Sequence, residues 1–280
     1  MQVWINESMH PVEEAAISAF DHGVTVGDGV FETMVSYAGE PFAFTRHHRR
    51  LERSAQVMGL PAPGAGPMRE ASRAVLAANG LLGVRARVRI TVTGGPAPLG
   101  SVRGDEGTTI IVAAAPVAGP ADTAAVQVVP FTRNETGALA GAKTTSYGEN
   151  VVALAYATDL GADEAIFANT KGELCEGTGT NVFLVLAGAL LTPPLEGGCL
   201  PGVTRALVLE LCAREGIAVS EEAVAVGRLA EAEEAFLTST TREVQPIREV
   251  DGNPLAAAPG ALTGTLRAAF RALADGNVDP

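Results

Sequence analysis

The sequence predicts an α/β (α+β) chain in two parts, and three observations carry that expectation. Stretches of period-two alternation interleave with stretches of helical spacing along most of the length. A Pro/Gly-rich segment, Pro116-Val-Ala-Gly-Pro-Ala-Asp122, interrupts them once. The 280 residues, 47% of them hydrophobic, supply enough apolar material for two ordinary cores. The expected boundaries are 1–115 for a smaller N-terminal α/β domain, 116–122 for a linker and 123–280 for a larger C-terminal domain.

The elements follow in order. Val3–Ile5 opens as a strand that Asn6-Glu7 turns. Val30–Tyr37, bounded by Gly-Asp-Gly and Ala-Gly-Glu, is a second strand. Arg46–Met58 puts Leu51, Ala55 and Met58 on one face, a helix that Gly59 ends. Pro67–Asn79 is another, with Pro at its start and Gly80 just past its end. In Val84–Thr93, Arg85, Arg87 and Arg89 alternate with Val84, Ala86, Val88 and Ile90, which is strand periodicity. A polar loop, Gly94–Gly107, precedes the apolar strand Thr108–Ala114. Beyond the linker, Ala125–Phe131 is a strand. Gly148–Leu160 is a helix expected to turn Val151, Leu154, Ala155 and Thr158 inward. Glu164–Ala168, Asn181–Leu186 and Leu190–Thr192 are strands, the last two joined across Ala187-Gly188. Thr204–Glu215 pairs Leu207 with Leu211 and Val208 with Cys212, and Gly216 stops it. Ala235–Thr238 is a strand, Asp251-Gly252 a hairpin turn, and a final helix carries Leu262, Leu266 and Leu273.

Charge and composition exclude several classes of function. With 20 Lys+Arg against 32 Asp+Glu the formal net charge is −12, and no basic stripe offers a nucleic-acid groove. The N-terminus lacks the pattern of a signal peptide, and no apolar run reaches membrane-spanning length, so no membrane partner is expected. Cys175, Cys199 and Cys212 include no C-x-x-C pair, and no histidine lies near them to complete a metal site. A reduced, cytoplasmic protein is the expectation.

Four segments carry candidate chemistry, each beside a blander reading. Lys143, just ahead of a helix, is either a solvated surface lysine or a Schiff-base lysine, which needs burial or a nearby cation. Glu176, followed by Gly-Thr-Gly-Thr-Asn-Val-Phe, is either an exposed hairpin acid or a carboxylate set among small residues that let backbone approach a ligand. Leu200-Pro-Gly-Val-Thr-Arg205 opens a helix where phosphate is favoured, unless the threonine hydroxyl merely caps it. Thr238-Ser-Thr-Thr-Arg-Glu-Val244 is a hydroxyl-rich strand end suited to an oxyanion, or a β-rich edge.

As a set these segments resemble the class IV (fold type IV) pyridoxal-phosphate-dependent aminotransferases, a family that includes D-amino-acid and branched-chain aminotransferases, (R)-amine transaminases and aminodeoxychorismate lyases. Asp21-His-Gly-Val-Thr-Val-Gly-Asp-Gly-Val-Phe-Glu-Thr33 is similar to its D-R-G-x-x-x-G-D-G-x-[FY]-E motif. His47-His-Arg-Arg-Leu-Glu-Arg-Ser-Ala55 is similar to its H-x-x-R-L-x-x-S-A helix. The resemblance implies a two-domain fold with the site between a smaller N-terminal and a larger cofactor-binding domain, and pyridoxal 5′-phosphate as cofactor. It implies an amino donor and a 2-oxo acid as small-molecule partners. It also implies a homodimer, because the family builds each pocket partly from the neighbour's Gly94–Gly107 loop. Lys143 would hold the cofactor aldehyde and shuttle the proton once freed. Glu176 would keep the pyridine nitrogen protonated. Arg50 would clamp the phosphate, with Val203 and Thr204 at the helix N-terminus and Thr240 and Thr241 completing the cup. Of Arg46, Arg49, Arg50 and Arg53, only Arg50 matches the family's register.

Within the family, Phe31-Glu-Thr-Met departs from the F-E-G of branched-chain enzymes, and Thr238-Ser-Thr-Thr-Arg-Glu looks most like D-amino-acid aminotransferases. The leading expectation is a transaminase of D-amino acids, extending to (R)-primary amines. The alternative is a 4-amino-4-deoxychorismate lyase releasing pyruvate and p-aminobenzoate, which Lys143-Thr-Thr-Ser-Tyr-Gly-Glu-Asn also resembles. Two positions differ from the D-amino-acid branch: Phe31 stands where a Tyr is typical, and Gly94 where an Arg binds carboxylate. Phe31, Arg89 and Arg103 are the candidate substrate residues.

Overall fold

The computed structural model describes residues 1–280, and the chain divides into two compact units. The first comprises Met1–Gly119, Ala142–Tyr147 and Asn277–Pro280, and the second Pro120–Gly141 and Gly148–Gly276. The chain thus leaves the first unit inside the Pro/Gly-rich segment and later returns to it for six residues. No helix is long and apolar enough to cross a membrane.

The first unit holds β1 (Gln2–Ile5), β2 (Ser8–Pro11), α1 (His22–Thr25), β3 (Gly29–Tyr37), β4 (Glu40–Pro41), α2 (Phe44–Met58), α3 (Ala65–Ala78), β5 (Ala86–Thr93) and β6 (Thr109–Pro116). Its six strands form one antiparallel sheet in the order β2-β1-β6-β5-β3-β4. The expected alternation holds from Ala86 onward, with Ala86, Val88, Ile90 and Val92 buried and Arg87 and Arg89 facing out, whereas Val84 is exposed and precedes the strand. Helix α2 buries Leu51 and Ala55 against that core with Val30, Met34 and Phe44, and ends at Gly59 in the left-handed region (φ 65°). The strand β2 follows directly from the turn at Asn6-Glu7 and carries no alternation that would have marked it.

The second unit holds β7 (Ala124–Arg133), α4 (Gly148–Asp159), β8 (Glu164–Asn169), β9 (Leu174–Gly177), β10 (Asn181–Leu186), β11 (Ala189–Thr192), α5 (Val203–Arg214), β12 (Val219–Glu221), β13 (Glu234–Ser239), β14 (Glu243–Val250), β15 (Asn253–Pro254) and α6 (Ala261–Gly276). The strand order is β12-β11-β10-β13-β14-β7-β8-β9, with β15 on β14. Pairing is parallel only for β11–β12, β14–β7 and β7–β8. Stacked rings of Phe183 and Phe236, 4.8 Å apart, join β10 to β13.

One expected face is corrected. Helix α4 buries Asn150, Ala153 and Ala157, whereas Val151, Leu154, Ala155 and Thr158 are exposed. Two alanines a turn apart let the helix lie close to β7 and β8, and the Asn150 amide donates to the Thr178 carbonyl. Close approach with a satisfied polar group prevailed over the larger side chains. The apolar residues left outside are Val151, Val152, Leu154, Tyr156 and Leu160. In α6, Leu266 is buried with Thr263 and Phe270, while Leu262 and Leu273 are only half-buried.

Candidate functional site

In the first unit the segment Ala142–Tyr147 lies against the start of β3. The Phe31 amide donates to the Lys143 carbonyl at 3.0 Å, the Thr145 amide to Gly29 at 2.8 Å, and the Lys143 amide to Ser54 Oγ at 3.0 Å. The glycines of Gly-Asp-Gly make this approach feasible. A Cβ on Gly29 would lie 2.9 Å from both Thr145 Oγ1 and the Val92 carbonyl, and Gly27 takes φ 69° beneath Ser146. The same hold fixes Lys143, whose Nζ sits 4.5 Å from the centre of the Phe31 ring and donates to the Tyr147 hydroxyl at 3.3 Å. Tyr147 meets Phe31 edge-on at 5.1 Å, and the Arg89 guanidinium stacks over that ring at 3.6 Å. Half-buried among aromatic rings with a guanidinium close by, Lys143 is not a solvated surface lysine.

Beneath this ring lies a fully buried cluster of charge. Arg50 donates from Nε to Glu32 Oε1 at 2.7 Å and from Nη2 to Oε2 at 2.8 Å, and His47 Nδ1 donates to the same Oε2 at 2.7 Å. Burial alone would raise the Glu32 carboxyl, but the Arg50 charge beside it and the two donors hold it far below the usual carboxylate range. Burial pushes the His47 imidazole below its ordinary value against the pull of Glu32. Arg50 is buried, while Arg49 and Arg53 are exposed. Arg103, a candidate substrate residue, is held by the first unit's own groups. Its guanidinium is engaged by both oxygens of Asp28 at 2.6 Å and by the carbonyls of Met58 and Gly59, which latches the Gly94–Gly107 loop. Gly94 is part of that latch: a Cβ there would stand 2.4 Å from Asp28 Oδ2.

In the second unit Glu176 is mostly buried on β9, with a side chain 12% exposed, and so is not an exposed hairpin acid. Its Oε2 accepts from the Leu200 amide at 2.8 Å, and its Oε1 faces Arg133 Nε at 3.4 Å. Leu200 leads into α5, whose N-cap is Gly202 and which no side chain caps. The Thr204 hydroxyl therefore does not close the helix start, and Val203 and Thr204 stand buried at an N-terminus whose donors no side chain occupies. Thr240 and Thr241 sit half-buried in the turn between β13 and β14. Just before them the buried Thr238 Oγ1 has no hydrogen-bond partner. Within the second unit, an uncapped helix start and an orphaned hydroxyl suit a phosphate ester; within the first, Lys143 suits an aldehyde. The sequence reading missed Glu32, His47, Tyr147 and Arg133. Glu32, His47 and Tyr147 lay inside quoted motifs and Arg133 outside all of them, and the ion pair of Glu32 and His47 joins positions 15 residues apart with no local signal.

Comparison with known proteins agrees. The profile of the family described as Amino-transferase class IV matches residues 29–250. A Methanocaldococcus jannaschii protein assigned as a branched-chain-amino-acid aminotransferase is 35% identical, over 90% of this chain and 88% of its own. The D-alanine aminotransferase of Bacillus licheniformis is 31% identical, over 97% and 96%. Among solved structures, the branched-chain aminotransferase of Thermoproteus uzoniensis with norvaline superposes with a TM-score of 0.91 at 31% identity, covering 99% of this chain and 95% of that one. A second branched-chain amino acid aminotransferase, complexed with N-(5′-phosphopyridoxyl)-L-glutamate, does so with a TM-score of 0.90 at 27% identity, covering 98% and 94%. A profile spanning most of the chain, and relatives at this identity, establish that the chain belongs to the class IV aminotransferases, enzymes of fold type IV that work with pyridoxal 5′-phosphate.

Proposed function

We propose that this aminotransferase moves amino groups between an aliphatic amino acid and a 2-oxo dicarboxylic acid, with Arg89 as the carboxylate anchor. The observation that carries the reading is the stack of Arg89 on Phe31, the ring that also meets Lys143. The guanidinium lies over a ring and gives Nε to Thr91 Oγ1 at 3.1 Å, which leaves its two Nη groups for a planar carboxylate. The D-amino-acid branch places an arginine at position 94 instead, and the Asp28–Arg103 latch takes that space. Several relatives named for branched-chain amino acids support an aliphatic donor. A D-amino-acid donor is the second reading, favoured by the match to D-alanine aminotransferase along nearly the whole of both chains.

The cofactor, when bound, supplies an aldehyde for amines and an electron-withdrawing ring. Lys143 Nζ provides the amine that holds it and moves the proton at the substrate's α-carbon, with the Tyr147 hydroxyl as its hydrogen-bond partner. Glu176, oriented by the Leu200 amide, presents a carboxylate to the ring nitrogen. In the first unit Arg50, aligned by Glu32 and His47, would be a donor to the phosphate, and in the second unit Val203, Thr204, Thr240 and Thr241 would be. The enzyme works as a homodimer in the cytoplasm. The outward face of α4, with Val151, Val152, Leu154, Tyr156 and Leu160 exposed, supports a second copy. Sedimentation showing a fully active monomer would refute that assembly.

The deciding assay mixes the purified protein with 2-oxoglutarate and L-valine, L-leucine or D-alanine, and separately with aminodeoxychorismate alone. Turnover of the L-amino acids is expected, with Arg89→Leu raising KM for 2-oxoglutarate at least about tenfold, the worth of one charge-assisted contact. Turnover of D-alanine alone selects the second reading. Pyruvate release from aminodeoxychorismate without an acceptor would instead make the enzyme a lyase.

A further inference from the structure

Arg133 lies outside every motif described above, yet its guanidinium is placed with care. It ends β7, with its central carbon 4.3 Å from the middle of the Phe167 ring on β8, and Phe167 pairs across β9 with Glu176. Its Nη1 donates to Asn150 Oδ1 at 3.2 Å and lies 3.5 Å from Glu149 on α4. These contacts aim Nε at Glu176 Oε1, 3.4 Å away, in an ion pair that falls short of a hydrogen bond and leaves a buried N–H unsatisfied.

An apolar side chain would cover Phe167 equally well without the cost of burying a cation. We infer that Arg133 is a positioning residue: its charge holds Glu176 as an oriented carboxylate throughout the working pH range. The inference rests on the reading that Glu176 faces the ring nitrogen. An ion pair without a hydrogen bond supplies charge without claiming one of the carboxylate's lone pairs. The other oxygen is fixed by the Leu200 amide, so both ends of the carboxylate are located.

Arg133 is the guanidinium set against Glu176 Oε1, and the neighbouring groups differ from it in charge or in partner. Cys175 on β9 and Cys199 beside Leu200 stay neutral, since burial pushes the Cys199 thiol up to about 12 and the Cys175 thiol higher still. Arg205 on α5 is committed to Glu221 and the Pro193 carbonyl. Glu149 on α4 and Glu135 add only negative charge to these surroundings.

The test reads the carboxyl directly in the full chain without cofactor. Glutamate is labelled with 13C at the side-chain carboxyl, and the Glu176 signal is identified by its loss in Glu176→Gln. Arg133→Gln and Arg133→Met, the second keeping an apolar stem on Phe167, should each raise the Glu176 midpoint by about one to three pH units. Arg133→Lys should bring it most of the way back. In the holoenzyme the acid limb of the kcat profile should move up in step, which a purely structural role would not produce. A midpoint unmoved in either neutral variant that melts cooperatively overturns the inference. If the midpoint moves but Glu176→Gln reacts at the wild-type rate, Arg133 still holds Glu176 and it is the ring-nitrogen reading that falls.

Discussion

Glu32→Gln breaks the buried ion pair of the first unit. It leaves the Arg50 guanidinium facing a neutral amide where Glu32 is fully buried and Arg50 is 5% exposed. The two charges meet at 2.7 Å, which at an effective dielectric of about 20 corresponds to roughly 6 kcal/mol of attraction. The amide oxygen still accepts one hydrogen bond, so the expected loss of stability is about 3–5 kcal/mol, the range for breaking a buried pair by removing one partner. Adding Arg50→Met removes the stranded cation, and the double variant should recover to within about 1–2 kcal/mol of wild type. Urea unfolding of the ligand-free chain, followed by circular dichroism, measures each value. The gap between wild type and Glu32→Gln should also depend on pH. Arg50 holds the carboxyl low, so its contribution is complete above the unfolded value near about 4.3 and disappears as pH falls through the depressed folded value. A loss below about 1 kcal/mol, or a double variant no more stable than the single one, would refute a pair held together by mutual charge compensation.

Other changes test other parts. Lys143→Ala should abolish borohydride-stable attachment of the cofactor and cut turnover by about three or more orders of magnitude; attachment that survives would point to Lys171, the other lysine, which is exposed. His47 has its folded value lowered by burial, so its contribution is complete above the unfolded value of about 6.5 and is lost as pH falls toward the folded one. His47→Gln should flatten that part of the stability curve by up to about 1.4 kcal/mol per pH unit, as urea midpoints from pH 5 to 7 would show. Gly94→Arg should destabilise the chain by about 1–3 kcal/mol through its clash with Asp28 and gain no D-alanine turnover; restored D-alanine activity in coupled assays would mean the latch gives way. All three cysteines are buried with thiols pushed up, so native protein should react with a disulfide reagent far more slowly than unfolded protein, which titrates three thiols.

The sequence showed most of the elements because their signals are local. Arg87 and Arg89 against Ala86 and Val88, or Gly59 after Met58, need only a few neighbouring residues to be read. It placed Lys143 and Glu176 at candidate chemistry for the same reason, through motifs of contiguous residues. The inward face of α4 was not legible, since two faces carried apolar residues and only the strands beneath chose the alanines. The contacts of Arg103 were not legible because its partners, Asp28, Met58 and Gly59, lie more than 40 residues away. Arg133 drew no attention because a lone arginine at a strand end has no pattern until Phe167 and Glu176 are folded around it.

The return of Ala142–Tyr147 to the first unit bears on the order in which the chain matures. A ribosome that has released residues 1–119 has not yet supplied the edge that satisfies Gly29 and Phe31. The last contacts come later still: Ala43 donates to Val278, Thr45 and Arg69 to Asp279, and Arg46 to Pro280. At typical elongation rates roughly ten to thirty seconds separate residue 119 from residue 280. For that interval the nascent first unit carries open backbone groups at the start of β3, beside what becomes the lysine's pocket, and synthesis of the second unit has to be finished before the first is closed. Cleavage between Gly141 and Gly148 would therefore damage the unit to which the severed residues belong in space, although most of the sequence on either side of the cut lies in the other.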